Sequence, residues 1–170
     1  SATLGPGIIT NFYDGIQRPL DEIRKRAGDY ITRGVEVPAL DETVQWEFTP
    51  TAEEGKTLEG GDVLGTVPES KVITHKIMVP PGMSGKLIKI NGGKKTILDT
   101  IAVIETDTGT EELTMIQKWP VRIGRPYAKK LDAEVPLLTG QRIYDTFFPM
   151  AKGGAGAIPG GFGTGKTVSQ

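Results

Sequence analysis

The chain has no cysteine and only one histidine, His75, among its 170 residues. The missing thiols exclude disulfide bonds, thiolate metal ligands and cysteine nucleophiles, and they suit a reducing compartment. A serine–histidine catalytic pair would have to use His75, and a metal site built from several histidines cannot form within one chain. We therefore interpret His75 as a strand histidine on the face of a barrel.

Long apolar runs and a strong net charge are also missing. No stretch approaches the roughly 18 apolar residues that a membrane span needs, and the N-terminus does not resemble a signal peptide. The formal net charge is −1, so no global positive field attracts nucleic acid or an anionic membrane surface. The basic run Arg24-Lys25-Arg26 is predicted to be the solvated face of a helix. These features indicate a cytoplasmic protein without a nucleic-acid partner.

Glycine is abundant instead, with 23 residues, and its densest stretch ends in a motif. Residues 160–167 read G-x-x-x-x-G-K-T, the phosphate-binding loop of P-loop nucleotide enzymes. In such a loop the backbone N–H groups turn onto the phosphates, Lys166 reaches the β- and γ-phosphates, and the Thr167 hydroxyl ligates Mg²⁺. The alternative is a flexible glycine-rich tail. The motif favours the nucleotide loop, because a linker has no need for Lys-Thr directly after its last glycine.

The middle of the chain is rich in short β-type runs separated by Gly, Pro and Asp, which predicts a small barrel or sandwich. Trp46 and Phe48 are two residues apart and are expected to share the core face of one strand. The predicted strands are Val44–Phe48, Val63–Val67, Val72–Met78, Gly85–Ile90, Thr96–Ile97, Ile101–Glu105 and Glu112–Ile116.

The two ends of the chain have a different texture. Residues 1–20 are punctuated by Gly and Pro and are predicted to be a connecting segment without regular structure. A short helix is expected from about Pro19 to Ala27, because acids precede bases and Gly28 can end it. A second helix is expected after residue 139, with Thr139 as its candidate N-cap.

Several other residue groups invite functional interpretations that we weigh against simpler ones. The strand pattern of 54–90 is similar to that of biotinyl and lipoyl carrier domains, but Lys76 lies within a predicted strand rather than at a hairpin tip. The acid pairs at 53–54 and 111–112 are more simply solvated loop charges than a glycosidase pair. Arg122 and Arg125 are candidates for gripping a partner or a neighbouring nucleotide, although a surface ion pair within the chain is the favoured interpretation.

An ordered set of short sequence motifs runs through the whole chain. The motifs are Leu4-Gly5-Pro6-Gly7, Tyr13-Asp14-Gly15-Ile16-Gln17-Arg18-Pro19-Leu20, Arg33-Gly34-Val35, Pro38-Ala39-Leu40-Asp41, His75-Lys76-Ile77-Met78-Val79-Pro80-Pro81-Gly82, Leu113-Thr114-Met115, Gln117-Lys118-Trp119-Pro120-Val121-Arg122, Thr139-Gly140-Gln141-Arg142, Asp145-Thr146-Phe147-Phe148-Pro149 and Ala157-Ile158-Pro159-Gly160. With these motifs the chain closely resembles the catalytic A subunits of A-type and V-type rotary ATPases over essentially its whole length.

The resemblance implies a mainly β fold in three parts. Residues 1–20 would connect to a preceding β-barrel, 21–117 would form a bulge domain of the barrel-sandwich kind, and 118–170 would be the truncated start of an α/β P-loop domain. The family's nucleotide loop carries over to Gly160, Gly161, Phe162, Gly163, Thr164, Gly165, Lys166 and Thr167, with Lys166 as the catalytic residue and Thr167 as the metal ligand.

The resemblance also implies ATP or ADP with Mg²⁺ as cofactors, and a hetero-oligomer with central and peripheral stalk subunits and a noncatalytic B subunit. The location implied is the cytoplasmic, peripheral face of a membrane complex that couples ATP hydrolysis or synthesis to H⁺ or Na⁺ transport. The chain by itself is expected to be inactive, because the other catalytic groups of the family have no matching positions in it. Two alternatives stay open, which are a purely structural or interaction domain and a carrier domain modified at Lys76.

Overall fold

The structure of the chain, a computed structural model, describes residues 1–30, 33–127 and 129–170. Residues 31 and 32 of the predicted bulge domain and residue 128 of the predicted nucleotide-binding segment lie outside the described residues. The chain forms two compact units, Ser1–Tyr127 and Ala128–Gln170.

The regular elements are mostly short strands. In chain order they are β1 (Ala2–Leu4), α1 (Leu20–Ala27), β2 (Trp46–Pro50), β3 (Thr57–Glu59), β4 (Val63–Pro68), β5 (Thr74–Met78), β6 (Ser84–Ile90), β7 (Gly93–Lys95), β8 (Ala102–Thr106), β9 (Gly109–Leu113), β10 (Gln117–Trp119), β11 (Pro136–Leu137), α2 (Arg142–Phe147), β12 (Met150–Ala151) and α3 (Lys166–Ser169).

Two antiparallel four-stranded sheets build the first unit. Their strand orders are β5-β4-β2-β7 and β3-β6-β8-β9. Buried apolar side chains from both sheets form one core cluster, with Phe48 and Leu64 from the first sheet and Leu87 and Ile104 from the second. A core shared by two sheets is the arrangement of a β-sandwich. The predicted mainly β, sandwich-like fold is therefore confirmed, with open sheets rather than a closed barrel.

Alternating burial within single strands explains why these segments pair as they do. In β2, Phe48 is buried, Glu47 is exposed and Trp46 is half-buried against the core. This confirms the shared face predicted for the two aromatic residues, since successive side chains of a strand point to opposite faces. In β6 a bulge shifts the register between Leu87 and Lys89. Ile88 and Lys89 are both exposed, so the alternation of buried and exposed residues is interrupted at the bulge.

Two glycines are fixed by close contacts between strands. A Cβ on Gly85 would lie 2.2 Å from the carbonyl oxygen of Glu105 on the paired strand β8. A Cβ on Gly65 would lie 2.5 Å from the ring of Phe48. Both positions therefore require a residue without a side chain, because well-packed interiors leave no room for an added methyl group.

The strand predictions succeed where an apolar run is long and fail where it is not. Those for β4, β6 and β8 are correct to within one residue at each end. The prediction of a strand at Thr96–Ile97 is wrong: Thr96 donates its N–H to Asp99 Oδ2 at 2.7 Å in a turn, and the strand is the preceding β7. Ile97 is nevertheless buried, so its apolar side chain indicates a buried position rather than a β-strand.

The first residues of the chain contain a regular element that the sequence did not predict. Strand β1 pairs antiparallel with β10, in the register Ala2 opposite Trp119 and Leu4 opposite Gln117. The expectation that residues 1–20 lack regular structure is therefore wrong for Ala2–Leu4. The reason is that the two paired strands are more than a hundred residues apart in sequence, so no local pattern predicts the pairing.

The predicted first helix is confirmed as α1. Its only buried side chain is Ile23, and Gly28 ends it with φ 77°, a conformation that suits glycine. The basic residues Arg24 and Lys25 are exposed, and each pairs with a nearby acid, at 3.2 Å to Asp29 and 2.5 Å to Glu22. The basic run is thus the solvated helix face that the sequence predicted.

The second unit is small and open. It holds the two-stranded β11–β12 ribbon, α2 and α3, and none of its described large apolar side chains is buried. The N-cap of α2 is Gln141 rather than Thr139. Thr139 instead donates its hydroxyl to Asp145 Oδ1 at 2.7 Å and accepts the Gln141 N–H at 3.1 Å, so it braces the turn before the helix. Among the described residues, no helix is long and apolar enough to cross a membrane.

Candidate functional site

The glycine-rich segment of the second unit forms a loop that leads into a helical turn. Gly163 and Gly165 have φ angles of 76° and 80°, in the left-handed region that glycine adopts at little cost. Gly165 is the N-cap of α3, which begins at Lys166. The local sequence therefore gives a loop with two left-handed glycines just before the lysine.

The backbone N–H groups of this loop are available for an anion. Ser169 and Gln170 donate back to the carbonyl oxygens of Gly165 and Lys166, at 3.0 and 3.1 Å. In the described part of the chain, the N–H groups of Gly163–Thr167 make no hydrogen bond of normal geometry. Successive free N–H groups in a turn with left-handed residues form a concave anion-binding nest.

Lys166 lies across the mouth of the loop. Its ammonium group donates to the carbonyl oxygen of Gly160, at the other end of the motif. The Thr164 hydroxyl donates to Gly161 at 2.9 Å and closes the loop from within. A Cβ on Gly160 would lie 2.5 Å from the Thr164 hydroxyl oxygen, so a larger residue there would displace the Thr164 side chain. The Lys166 ammonium group is thus held at the loop by the carbonyl oxygen of Gly160, and an anionic ligand can replace that oxygen as the hydrogen-bond acceptor.

A shallow cavity of about 270 Å³ is lined by Gly161–Val168. The structure therefore brings seven of the eight predicted loop residues around one space, and the eighth, Gly160, contacts Lys166 at its edge. The Phe162 ring is fully exposed and Lys166 is half-buried. The cavity, the free N–H groups and the long lysine side chain fit a phosphate, and nucleotide binding by these residues stays a prediction.

Metal binding depends on Thr167 alone in this loop. Within the described ranges, the Thr167 hydroxyl has no hydrogen-bond partner. No group of three or more His, Asp or Glu side chains that could hold a metal ion occurs in the part of the chain that the structure describes. Thr167 is the residue of this loop that would hold the predicted Mg²⁺ beside the phosphates of the nucleotide.

The remaining candidate residues have structural surroundings. His75 lies in strand β5, as predicted, and its Nδ1 is 3.0 Å from Oε2 of Glu69, whose side chain is completely buried. Lys76 lies in the middle of the same strand, opposite Thr66, and not at the hairpin tip that a carrier lysine occupies.

The two acid pairs are exposed, as expected, although Glu111 and Glu112 lie in strand β9 rather than in a loop. Glu53 and Glu54 each have an ordinary partner. Glu53 pairs with Lys56 at 2.7 Å, and Glu54 accepts the N–H of Ile90 at 3.0 Å. Solvated charges of this kind agree with the simpler interpretation.

The ion pair favoured for Arg122 and Arg125 is not formed among the described residues. Arg125 instead donates from Nη2 to Oε1 of Gln117 at 2.9 Å, and its guanidinium carbon lies 4.9 Å from the centre of the Trp119 ring. The sequence did not predict this stacked arginine, because it depends on the turn in which Trp119 Nε1 donates to the Ile123 carbonyl oxygen at 2.7 Å.

Comparison with known proteins agrees with this fold. The family model described as the ATP synthase alpha/beta subunit barrel-sandwich domain matches residues 37–122, which span both sheets of the first unit. The chain belongs to this ATP synthase family. The family's barrel-sandwich description corresponds to the two packed sheets, and the glycine-rich loop lies outside the matched range.

Relatives of this ATP synthase family member extend the likeness over the whole chain. The A subunit of the A-type ATP synthase of Methanopyrus kandleri is 62% identical over 100% of the chain. The V-type ATP synthase alpha chain 1 of Clostridium tetani is 55% identical over 100%, and the A subunit of the A-type ATP synthase of Pyrococcus abyssi is 55% identical over 99%. The chain spans only 29%, 29% and 17% of the lengths of these three proteins.

Proposed function

We propose that the chain supplies the phosphate-binding loop and the adjoining barrel-sandwich domain of the catalytic subunit of an A-type or V-type rotary ATPase. The observation that carries the proposal is the loop at 160–167, with its free N–H groups and with Lys166 across its mouth. The names of the relatives, which are ATP synthase subunits, support the choice of ATP or ADP as the anion.

The roles of the loop residues follow from their chemistry. Lys166 neutralises charge on the β- and γ-phosphates, and the N–H groups of Gly163–Thr167 hold the phosphate oxygens. The Thr167 hydroxyl would hold Mg²⁺, and the ion would neutralise further phosphate charge when bound. Phosphoryl transfer needs several such groups acting together, so the complete reaction belongs to the longer subunit, which couples ATP hydrolysis or synthesis to H⁺ or Na⁺ transport.

The partners proposed are those of a rotary machine. The relatives are named as subunits of an ATP synthase, which supports membership in a multi-subunit complex. Within that complex we propose contacts with central and peripheral stalk subunits and with a noncatalytic B subunit. The location proposed is the cytoplasmic face of the membrane, to which the partners attach this protein.

Substitution of Lys166 in the full-length protein that contains this sequence tests the proposal. Lys166→Ala should lower kcat for ATP hydrolysis at least about a hundredfold, because a charge that stabilises the transition state is lost. Lys152→Ala is the matched control, since Lys152 is exposed, belongs to the same unit and lies outside the loop. Equal activity of the Lys166→Ala variant and the wild type in a steady-state ATPase assay would refute the assigned role.

A further inference from the structure

A second cavity is lined by residues of the first unit alone. It has a volume of about 220 Å³ and runs beside strand β5. Its apolar wall includes Leu4, Ile8, Ile77 and Met115. The volume is below the roughly 300–1,000 Å³ of pockets that enclose whole small-molecule ligands. The cavity therefore suits a side chain better than a complete cofactor.

Besides His75 and Gln117, two cationic side chains line this cavity, and neither of them forms an ion pair among the described residues. Lys76 and Arg125 both line it, and no Asp or Glu is among its lining residues. Arg125 Nη1 is buried and has no hydrogen-bond partner in the described part of the chain. A buried donor without an acceptor is costly, and a carboxylate is the acceptor that best suits a guanidinium group. Glu69, which contacts the lining residue His75, is already bonded to that residue and to the N–H of Ile9, at 3.0 and 2.9 Å.

Strand β5 also offers free backbone groups beside the cavity, because it is the outermost strand of its sheet. Val79 N–H donates to Asp62 at 2.9 Å and the Ile73 carbonyl accepts from Glu69 at 3.0 Å, so the odd-numbered residues turn their backbone groups toward β4. The even-numbered residues turn theirs outward. Accordingly, the Met78 carbonyl accepts from the side chain of Gln117 at 2.7 Å. The outward groups of Thr74 and Lys76 have no strand partner among the described residues.

From this combination we infer that the β5 edge and its cavity bind an extended, acidic peptide segment of a partner protein. The peptide backbone pairs with the outward groups of Thr74 and Lys76, in the manner of strand addition to a sheet edge. One of its glutamate side chains enters the cavity, where its methylene groups contact the apolar wall and its carboxylate accepts hydrogen bonds from Arg125 and Lys76. The inference is independent of the nucleotide loop.

Fluorescence anisotropy with a labelled, capped seven-residue peptide in which Glu alternates with Val tests this inference on the whole chain. The matched peptide carries Gln in place of each Glu. We expect saturable binding of the Glu peptide and at least about tenfold weaker binding of the Gln peptide, because a charge-assisted hydrogen bond is roughly twice as strong as a neutral one. Equal affinity for the two peptides, or no saturation by about 1 mM protein, would overturn the proposal.

Two variants and one control variant test whether the peptide binds at the cavity beside β5. Arg125→Gln and Lys76→Gln should each weaken binding about tenfold, whereas Lys86→Gln removes the same charge from strand β6 and should change nothing. Lys76 is exposed, so its variant stays informative even if Arg125→Gln unfolds the chain. If neither cavity variant weakens binding, or if Lys86→Gln weakens it equally, the peptide binds elsewhere and the assignment is wrong.

Free glutarate separates a peptide site from a site for small carboxylates. It carries the same carboxylate on a short apolar arm but has no backbone to pair with β5. We expect glutarate to displace the labelled peptide only at concentrations at least a hundredfold above those of the unlabelled peptide. Displacement at equal concentrations would show that the cavity binds small carboxylates and would overturn the peptide assignment.

Discussion

At the scale of single residues, burial decides which aromatic side chains matter to stability. Phe48 is 1% exposed and packs where the two sheets meet, while Phe12 is 81% exposed. The two residues are chemically identical, so the difference between them isolates the effect of packing. Removing a buried ring costs the transfer free energy of its atoms and also the free energy of the cavity that remains.

Phe48→Ala should therefore lower the free energy of unfolding by about 3–5 kcal/mol. Phe12→Ala should change it by less than about 0.5 kcal/mol, as is usual for exposed positions. Urea denaturation followed by circular dichroism measures both values. Similar losses for the two variants would mean that Phe48 does not anchor the core.

At the scale of elements, the turn before α2 depends on one carboxylate. Asp145 accepts the N–H and hydroxyl of Thr139, at 2.9 and 2.7 Å, and the N–H of Gly140 at 3.1 Å. The Thr139 side chain is the main cause that lowers the pKa of Asp145 below its ordinary value, followed by the Thr139 N–H. The ionised form is thus favoured in the folded turn.

The sign of the pH effect follows from that lowered pKa. The stabilisation of the turn is fully present above the pKa of an unfolded Asp, about 3.9, and is lost as the pH falls through the lower pKa of the folded turn. Carbon-detected NMR of the Asp145 carboxyl group should record a lowered pKa, and Thr139→Val should raise it toward the ordinary value. An unchanged pKa in the Thr139→Val variant would contradict the assigned cause.

The sequence predicted a strand correctly where one segment carries both the buried residues and the apolar pattern of a strand. Strands β4 and β8 carry runs of apolar residues bounded by turns, and these fixed both their type and their limits. Strand β3 has one apolar residue, Leu58, between polar neighbours, and β1 has three residues whose partner is distant in sequence. Such strands are stabilised by their partners rather than by their own composition, so local reasoning does not find them.

The two candidate sites, the loop at 160–167 and the cavity beside β5, also differ in whether the local sequence could predict them. The loop at 160–167 could be proposed as a phosphate site from eight consecutive residues, and its binding role stays a prediction, while its glycine φ angles came from the structure. The cavity beside β5 could not be predicted. It combines Leu4, Lys76 and Arg125 from three distant segments, and only the folded first unit brings them together.

At the scale of the whole molecule, the two units differ in how they are stabilised. Every buried hydrophobic residue that the structure describes lies between Ile23 and Met115, in the first unit. The described residues of the second unit leave large apolar side chains exposed, among them Phe147, Phe148 and Phe162. The residues described in this unit therefore form no core of their own, and the loop is followed by four helical residues, Lys166–Ser169.

This difference predicts weak nucleotide binding by the 170-residue chain itself. An anion site at a helix N-terminus gains from the aligned peptide dipoles of the helix, and one turn supplies few of them. The loop must also become ordered when the phosphate binds, and this ordering costs conformational entropy. In a rigid domain the loop would be ordered before the phosphate binds. Isothermal titration calorimetry should therefore detect no tight MgATP binding. Micromolar, Mg²⁺-dependent binding that is lost in Lys166→Ala would show that the loop is preorganised without further support.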